Sequence, residues 1–121
     1  MANTFKLKTH KEMPDSAGTP LDLYTVPSGT TTVVLGLMLC NIHTSQVTAD
    51  VKLVSNTADG TETNETVFLV KDIPIPAGSS VELLAGNKVV LQYANSSGDK
   101  IQIDCDVADK IDATLSIMEI T

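Results

Sequence analysis

Histidine and hydroxyl side chains are the first places to look for chemistry in this sequence. His10 and His43 are its two histidines, and neither has a cysteine, an aspartate or a second histidine at a metal-ligand spacing. A surface histidine that hydrogen-bonds in a turn is the simpler interpretation of His43. Serine and threonine are abundant, but no Gly-x-Ser-x-Gly elbow supports a nucleophile. We therefore predict that the protein is not an enzyme, and we predict no catalytic residue, no cofactor and no metal.

The densest group of carboxylates lies near the C-terminus. If a turn gathered them, they could bind a hard cation such as Ca²⁺. Their spacing differs from the calcium-loop pattern, and two of them occupy the polar face of an alternating run, so we favour a solvated strand face. The residues concerned are Asp104, Asp106, Asp109 and Asp112.

The two cysteines, Cys40 and Cys105, lie in apolar, strand-like runs. Their simplest interpretation is that of small buried hydrophobic residues. A disulfide across a sandwich, as in immunoglobulin domains, is the alternative, and a reducing cytoplasm disfavours it. We therefore favour free thiols.

Net charge and hydropathy limit the classes of partner that the protein can bind. The formal net charge of −7 argues against a nucleic-acid partner, because phosphate binding depends on clustered lysine and arginine. The chain starts without the apolar segment of a secretory signal, and its apolar runs stay well short of the ~18 residues that span a membrane. We expect a protein made in a cytoplasm, with no membrane partner.

Alternation of apolar and polar residues is the dominant pattern. Ile101, Ile103 and Cys105 alternate with polar neighbours, as in a strand with one buried face. Short strands at this spacing predict an all-β fold, an antiparallel β-sandwich or jelly-roll-like body with about eight short strands. The strand-like runs cover residues 4–9, 21–26, 33–40, 47–53, 65–73, 81–84, 89–93, 101–107 and 111–117.

The run over residues 33–40 is apolar on both faces, which predicts a strand at the centre of its sheet or under an interface. Gly36 within this run indicates a bulge or a close backbone approach. At 121 residues the chain fits one core. We divide it into an N-terminal arm and edge segment, residues 1–20, and a β-sandwich domain, residues 21–121.

Turn-forming residues separate the runs. Clusters of Gly, Asn, Asp and Ser occur at residues 15–18, 56–60, 85–87 and 95–99, and residues 55–64 are the best candidate for a hairpin tip. One turn phrase occurs twice, as Val26-Pro27-Ser28-Gly29-Thr30-Thr31 and as Ile75-Pro76-Ala77-Gly78-Ser79-Ser80. With proline at the first central position, each copy predicts a type I turn before a strand.

These phrases also carry a resemblance. With the two turn phrases, the sequence also contains Leu23-Tyr24-Thr25 before the first copy, Val33-Val34-Leu35-Gly36-Leu37 after it and the terminal Leu115-Ser116-Ile117-Met118-Glu119-Ile120. In this order of phrases the chain resembles small structural proteins of tailed bacteriophages, first of all phages of marine cyanobacteria and related marine bacteria. The resemblance implies a non-enzymatic component of the virion, present in many copies and assembled in the host cytoplasm.

Within that resemblance, our leading hypothesis is a capsid decoration, or cement, protein that stabilises the head by bridging capsomers. We expect a homo-oligomer, with a trimer favoured, and a major capsid protein or another virion protein as partner. The alternatives are a neck, tail or fibre-adaptor subunit and, from another class, a carbohydrate-binding sandwich. Sugar binding would draw on few aromatic rings, namely Phe5, Tyr24, Phe68 and Tyr93.

The candidate interface residues fall into two groups. The first is the N-terminal segment, residues 3–11, as a tether, because an exposed strand edge can add to a neighbouring sheet. Its central residues are Phe5, Lys6, Leu7 and Lys8. The second group lies in the run over residues 33–40, where Leu37 and Leu39, or their opposite-face neighbours Met38 and Cys40, would line a subunit contact.

Overall fold

The alternating runs form antiparallel strands in the structure, a computed structural model that describes residues 2–84, 88–94 and 96–121. The turn predicted at residues 85–87 and the start of the one at residues 95–99 lie outside the described residues. The strands are β1 (Asn3–Met13), β2 (Leu21–Thr25), β3 (Thr31–Asn41), β4 (Val47–Val54), β5 (Ala58–Asp59), β6 (Glu62–Thr63), β7 (Val67–Ile75), β8 (Ser80–Leu83), β9 (Val89–Leu91), β10 (Tyr93–Ala94), β11 (Ser97–Gly98), β12 (Lys100–Cys105) and β13 (Ile111–Ile120).

Two sheets hold nine of these strands. The five-stranded sheet has the order β1-β13-β3-β8, with β9 also paired to β3, and the four-stranded sheet has the order β2-β12-β4-β7. Every pairing is antiparallel. The pairs β5-β6 and β10-β11 form two small hairpins, the first within the predicted tip at residues 55–64. The prediction of an all-β sandwich is confirmed.

The core lies between the two sheets and consists of one face of each. Ile101, Ile103 and Cys105 of β12 are buried, and Ile111, Leu115 and their alternate neighbours on β13 are buried opposite them. Fully burying such a side chain contributes roughly 1.5–3 kcal/mol each, so the aliphatic core supplies most of the stability. Tyr24 is the one aromatic residue among the buried side chains of the described chain.

β3 lies inside the five-stranded sheet, as its apolar character predicts, between β13 on one side and β8 with β9 on the other. The bulge predicted at Gly36 is confirmed. Ser116 pairs with Gly36, but the next residue of β13, Ile117, pairs with Val34, so Leu35 has no partner. This extra residue shifts the alternation of β3 by one position.

The type I assignment for the repeated turn phrase is wrong. The Ser79 N–H donates to the Pro76 carbonyl at 3.1 Å, which places proline before the two central residues rather than at the first of them. The second central residue is Gly78, with φ of 69°, as a type II turn requires. Gly29 repeats this conformation with φ of 71°. Glycine reaches this region without a steric penalty, so glycine and not proline sets the turn.

The N-terminal segment is a strand of the sandwich. β1 pairs with β13 from Asn3 opposite Ile120 to His10 opposite Ala113, and Met13 is fully buried in the core. The division predicted at residue 20 lies in the connection from β1 to β2, and residues 3–13 form β1, an edge strand of the five-stranded sheet.

Both cysteines are free thiols in the structure, and the prediction that they are buried is confirmed for Cys105 only. Cys105 is buried in β12, where desolvation raises the pKa of its thiol. Cys40 is half-buried on β3, in the other sheet.

Candidate functional site

β1 leaves one long side of the five-stranded sheet open. At its start, Ala2 and Thr121 exchange two backbone hydrogen bonds, of 3.1 and 3.0 Å. Residues bonded to the partner strand alternate with residues that face away from it, so the backbone groups of every second residue of β1 point to the open side. The residues whose N–H and C=O face outward are Asn3, Phe5, Leu7 and Thr9.

The other three sheet edges are short or interrupted. β8 and β9 have 4 and 3 residues, and β2 has 5. β7 is longer, but two register shifts and Pro74 break its edge. β1 keeps a continuous register from Asn3 to His10. Bulges, prolines, shortness and lysines protect natural edges against pairing. Over that stretch β1 has no bulge and no proline, and its lysines, Lys6 and Lys8, leave the backbone register uninterrupted.

The outer face of the same sheet carries an apolar row. Phe5 pairs with Met118, Met118 pairs with Val33, and Val33 pairs with Val90, so the row crosses four strands in register. Phe5 and Val90 are 73% and 55% exposed. Leu7, two residues along β1 from Phe5, is 64% exposed. A contiguous exposed apolar patch of this kind is a common mark of an interaction surface.

A polar cluster on the inner face fastens β1 to both sheets. Glu119 of β13 is only 5% exposed, and Lys6 Nζ lies 2.7 Å from its Oε1. The Tyr24 hydroxyl, from β2, donates to Glu119 Oε2 at 2.6 Å and lies 2.8 Å from the Thr32 hydroxyl. The hydrogen bond from Lys6, followed by that from Tyr24, lowers the pKa of Glu119 despite its burial. Burial also raises the pKa of Tyr24 above its ordinary range.

The predicted interface residues separate into four locations, two on β1 and two on β3. Phe5 and Leu7 are exposed on the outer face of β1, whereas Lys6 and Lys8 alternate with them on the inner face. Met38 is 43% exposed on the outer face of β3.

The structure corrects the prediction that Leu37 and Leu39 line a subunit contact. Both are in the core, 1% and 0% exposed, so their side chains cannot line a subunit contact. The bulge at Leu35 is the reason, because it moves the inward positions of β3 from Val34 to the odd-numbered residues Leu37 and Leu39.

The sequence reasoning missed several members of this surface. Val33 lies in the run that is apolar on both faces, which was the available signal for an exposed apolar position. Met118 and Val90 had no such signal, because their place in the row depends on strand pairing across the whole chain. Glu119 reads as an ordinary polar residue, and only the fold brings it to Tyr24.

The histidines and aspartates considered at the outset take part in hydrogen bonds that involve backbone groups. The backbone N–H of His43 donates to the Asn41 side chain at 2.8 Å, and His10 Nδ1 lies 2.9 Å from the Lys11 carbonyl oxygen. Asp104 and Asp106 accept from backbone N–H groups of Cys105 and Thr48, at 2.8 and 2.9 Å. Across residues 2–84, 88–94 and 96–121, no three potential ligands among His, Cys, Asp and Glu come close enough together to hold a metal ion.

An open depression of about 400 Å³ lies at one end of the sandwich. Asp99 is buried on its wall, where Ser55 Oγ donates to Oδ1 at 2.6 Å and the Gln92 N–H donates to Oδ2 at 3.0 Å. These bonds tie three loops together. The side chains that line the depression include no aromatic ring among the described residues, so it has no stacking platform for a sugar; they are Leu53, Ser55, Thr63, Asn64, Glu65, Val67, Val90 and Asp99.

No helix in the described part of the chain is long and apolar enough to cross a membrane.

Comparison with known proteins finds no family model and no curated protein that matches the chain. Among the solved structures that align with it are two at 15% sequence identity each. One comes from the Bacillus endospore appendages, described as a novel family of disulfide-linked pili; it gives a TM-score of 0.48 and covers 99% of this chain and 87% of that one. The other is the STIV MCP, with a TM-score of 0.25, covering 92% of this chain and 48% of that one. Similarity at this level assigns neither a family nor a function.

Proposed function

We propose that this chain is a non-enzymatic structural subunit of a virion, and more specifically a capsid decoration protein of a tailed bacteriophage. In this role it stabilises the head by bridging capsomers. The resemblance of its turn and strand phrases to small phage structural proteins motivates the proposal. The observation that carries it is the long, uninterrupted free edge of β1 beside an exposed apolar row.

Such a protein stabilises the head through the free energy of its association with neighbouring subunits. An edge strand adds main-chain hydrogen bonds to a neighbouring sheet, and the apolar row that starts at Phe5 adds buried surface beside them. Stable contacts bury about 800 Å² on each partner. Repetition over many copies multiplies the effect, since each bound copy holds its neighbours at high effective concentration. We propose a trimer at the symmetry points of the shell, with the major capsid protein as partner.

Labelling of intact particles tests the proposal. An antibody against the protein, applied to phage particles purified from the source culture and imaged by electron microscopy, should decorate the head at regular positions. Labelling confined to the neck, tail or fibres would favour the adaptor alternative over decoration. Particles that contain none of the protein would overturn the proposal.

The oligomeric state gives an independent test. Sedimentation of the purified protein should give a trimer if the chain caps positions of threefold symmetry. A ring of higher order would instead fit a neck or tail subunit. A monomer at all concentrations would contradict the trimer.

A further inference from the structure

The open side of β1 presents a patterned surface to a partner. Asn3, Phe5, Leu7 and Thr9 each offer one N–H and one C=O there, in a register without interruption. An extended segment laid beside β1 would satisfy these groups as the next strand of the sheet. Any segment can make main-chain bonds of this kind, so the side chains of β1 decide which segment fits.

Side chains directly opposite each other on adjacent strands share one face. Residues of the incoming strand opposite Phe5 and Leu7 therefore join the outer face, where apolar side chains would extend the row of Phe5, Met118 and Val33. Residues opposite Lys6 and Lys8 join the inner face. The side chains that suit the incoming strand therefore alternate between apolar ones on the outer face and charged ones on the inner face.

On the inner face, the lysines of β1 favour negatively charged side chains on the incoming strand. Glu119 lies within salt-bridge distance of Lys6, at 2.7 Å, and no carboxylate of the described residues lies within that distance of Lys8. An incoming strand with a carboxylate opposite Lys8 would meet the ammonium group that has no such partner among the described residues, whereas Lys6 already pairs with Glu119. A strand with lysines there would place like charges directly opposite one another, which is destabilising.

A second copy of β1 is a poor occupant for this reason. In an antiparallel pairing centred on Leu7, which uses the whole regular stretch, Lys6 of each copy faces Lys8 of the other. Moving the centre to Lys6 sets that residue against its own copy. In both of these registers, pairing of β1 with itself places lysines directly opposite one another, whereas a register that avoids this, centred on Phe5, uses only the first part of the strand.

From this pattern we infer that the free edge of β1 binds an extended segment of another protein, in which carboxylates alternate with apolar side chains. The inference rests on the proposed function in one respect, because it names the chemistry of the partner strand in the shell. The test below uses no virion material, so the two can fail separately.

Three labelled synthetic peptides test the inference: short alternating chains of valine with glutamate, with threonine or with lysine. Each is titrated with the intact protein, and binding is followed by fluorescence anisotropy. We expect the glutamate peptide to bind about tenfold more tightly than the threonine peptide, and the lysine peptide to bind most weakly. Hydrogen exchange should show new protection at the amides of Phe5 and Leu7, which face the open side.

Matched variants locate the site. Lys8→Gln should weaken binding of the glutamate peptide about fivefold, whereas Lys71→Gln, the same change on the β7 edge, should leave it unchanged. Leu7→Pro removes an outward N–H while sparing the bonds to β13, and it should abolish binding of every peptide. Lys8→Gln keeps the test valid if the proline variant fails to fold.

Equal affinity for the three peptides, or equal effects of Lys8→Gln and Lys71→Gln, would overturn the inference. So would concentration-dependent dimerisation that Leu7→Pro eliminates, because it would identify a second copy as the occupant. If the protein shows the expected preference among the peptides but is absent from phage particles, the proposed function is refuted and this inference stands. If the protein is found in particles but shows no such preference, this inference is refuted and the proposed function stands.

Discussion

Replacement of Tyr24 by phenylalanine tests the polar cluster that holds β1 in the sandwich. The substitution keeps the buried ring and removes the hydroxyl that donates to Glu119 at 2.6 Å and contacts Thr32 at 2.8 Å. A hydrogen bond to a charged group contributes about 1.5–3 kcal/mol, and we expect Tyr24→Phe to lower the free energy of unfolding by about 2 kcal/mol at pH 7. With an unfolding entropy of about 2.1 cal/mol/K per residue, that corresponds to a fall in Tm of about 8 °C.

The loss should depend on pH in a definite direction. The pKa of Glu119 in the folded protein lies below its ordinary value of 4.5, so its stabilising contribution is complete above that value. The contribution is lost as the pH falls through the lower folded pKa. Tyr24→Phe removes one cause of the lowered pKa. The difference in stability between wild type and variant should therefore shrink as the pH falls from 7 to below the folded pKa.

Urea unfolding followed by circular dichroism, repeated across this pH range, measures the difference directly. Tyr93→Phe is the matched control, because the Tyr93 hydroxyl makes no hydrogen bond with the described residues, and we expect a change within about 0.5 kcal/mol. A Tyr24→Phe loss that is equally small, or one that is the same at every pH, would refute the reasoning that an ionised, buried Glu119 is its acceptor.

Three further predictions concern the core, one close backbone contact and the thiols. Leu37→Ala should cost about 2–5 kcal/mol in urea unfolding, and the exposed Met38→Ala less than about 1 kcal/mol; equal losses would contradict the inward placement of Leu37. Gly98→Ala should lower Tm by several degrees in calorimetry, because the added methyl would meet the backbone carbonyl oxygen of Val26, just beyond the end of β2, and an unchanged Tm would show that this approach is looser. Iodoacetamide should label Cys40 in the native protein and Cys105 only after unfolding, since burial shields the Cys105 thiol and raises its pKa. Mass spectrometry identifies the labelled cysteine, and label on Cys105 before Cys40 in the native protein would contradict this prediction.

Local pattern determined much of the architecture. Period-2 alternation over residues 47–53, 101–107 and 111–117 predicts three strands of the two sheets, because a half-buried strand must send successive side chains to opposite faces, and strand-like runs between turn residues predict the other six. The doubly apolar run at residues 33–40 predicts a strand inside its sheet, and the glycine within it predicts the bulge. These features depend on neighbours in sequence.

Which residues form the candidate surface depends on pairing between segments that are distant in sequence. The row from Phe5 to Met118 joins the two ends of the chain, and no local pattern specifies that register. The same holds for the burial of Glu119 against Tyr24, which reads from sequence as an ordinary charged position near the C-terminus.

The sequence by itself therefore determined that this chain is an antiparallel sandwich with a regular strand over its first residues. Only the tertiary structure decided which backbone groups of this strand point to its free edge, that Leu37 and Leu39 face inward, and that Met38 faces out. The physical reason is the two-residue period of a strand. A single bulged residue such as Leu35 exchanges the faces of everything beyond it, and strand pairing sets where the bulge falls.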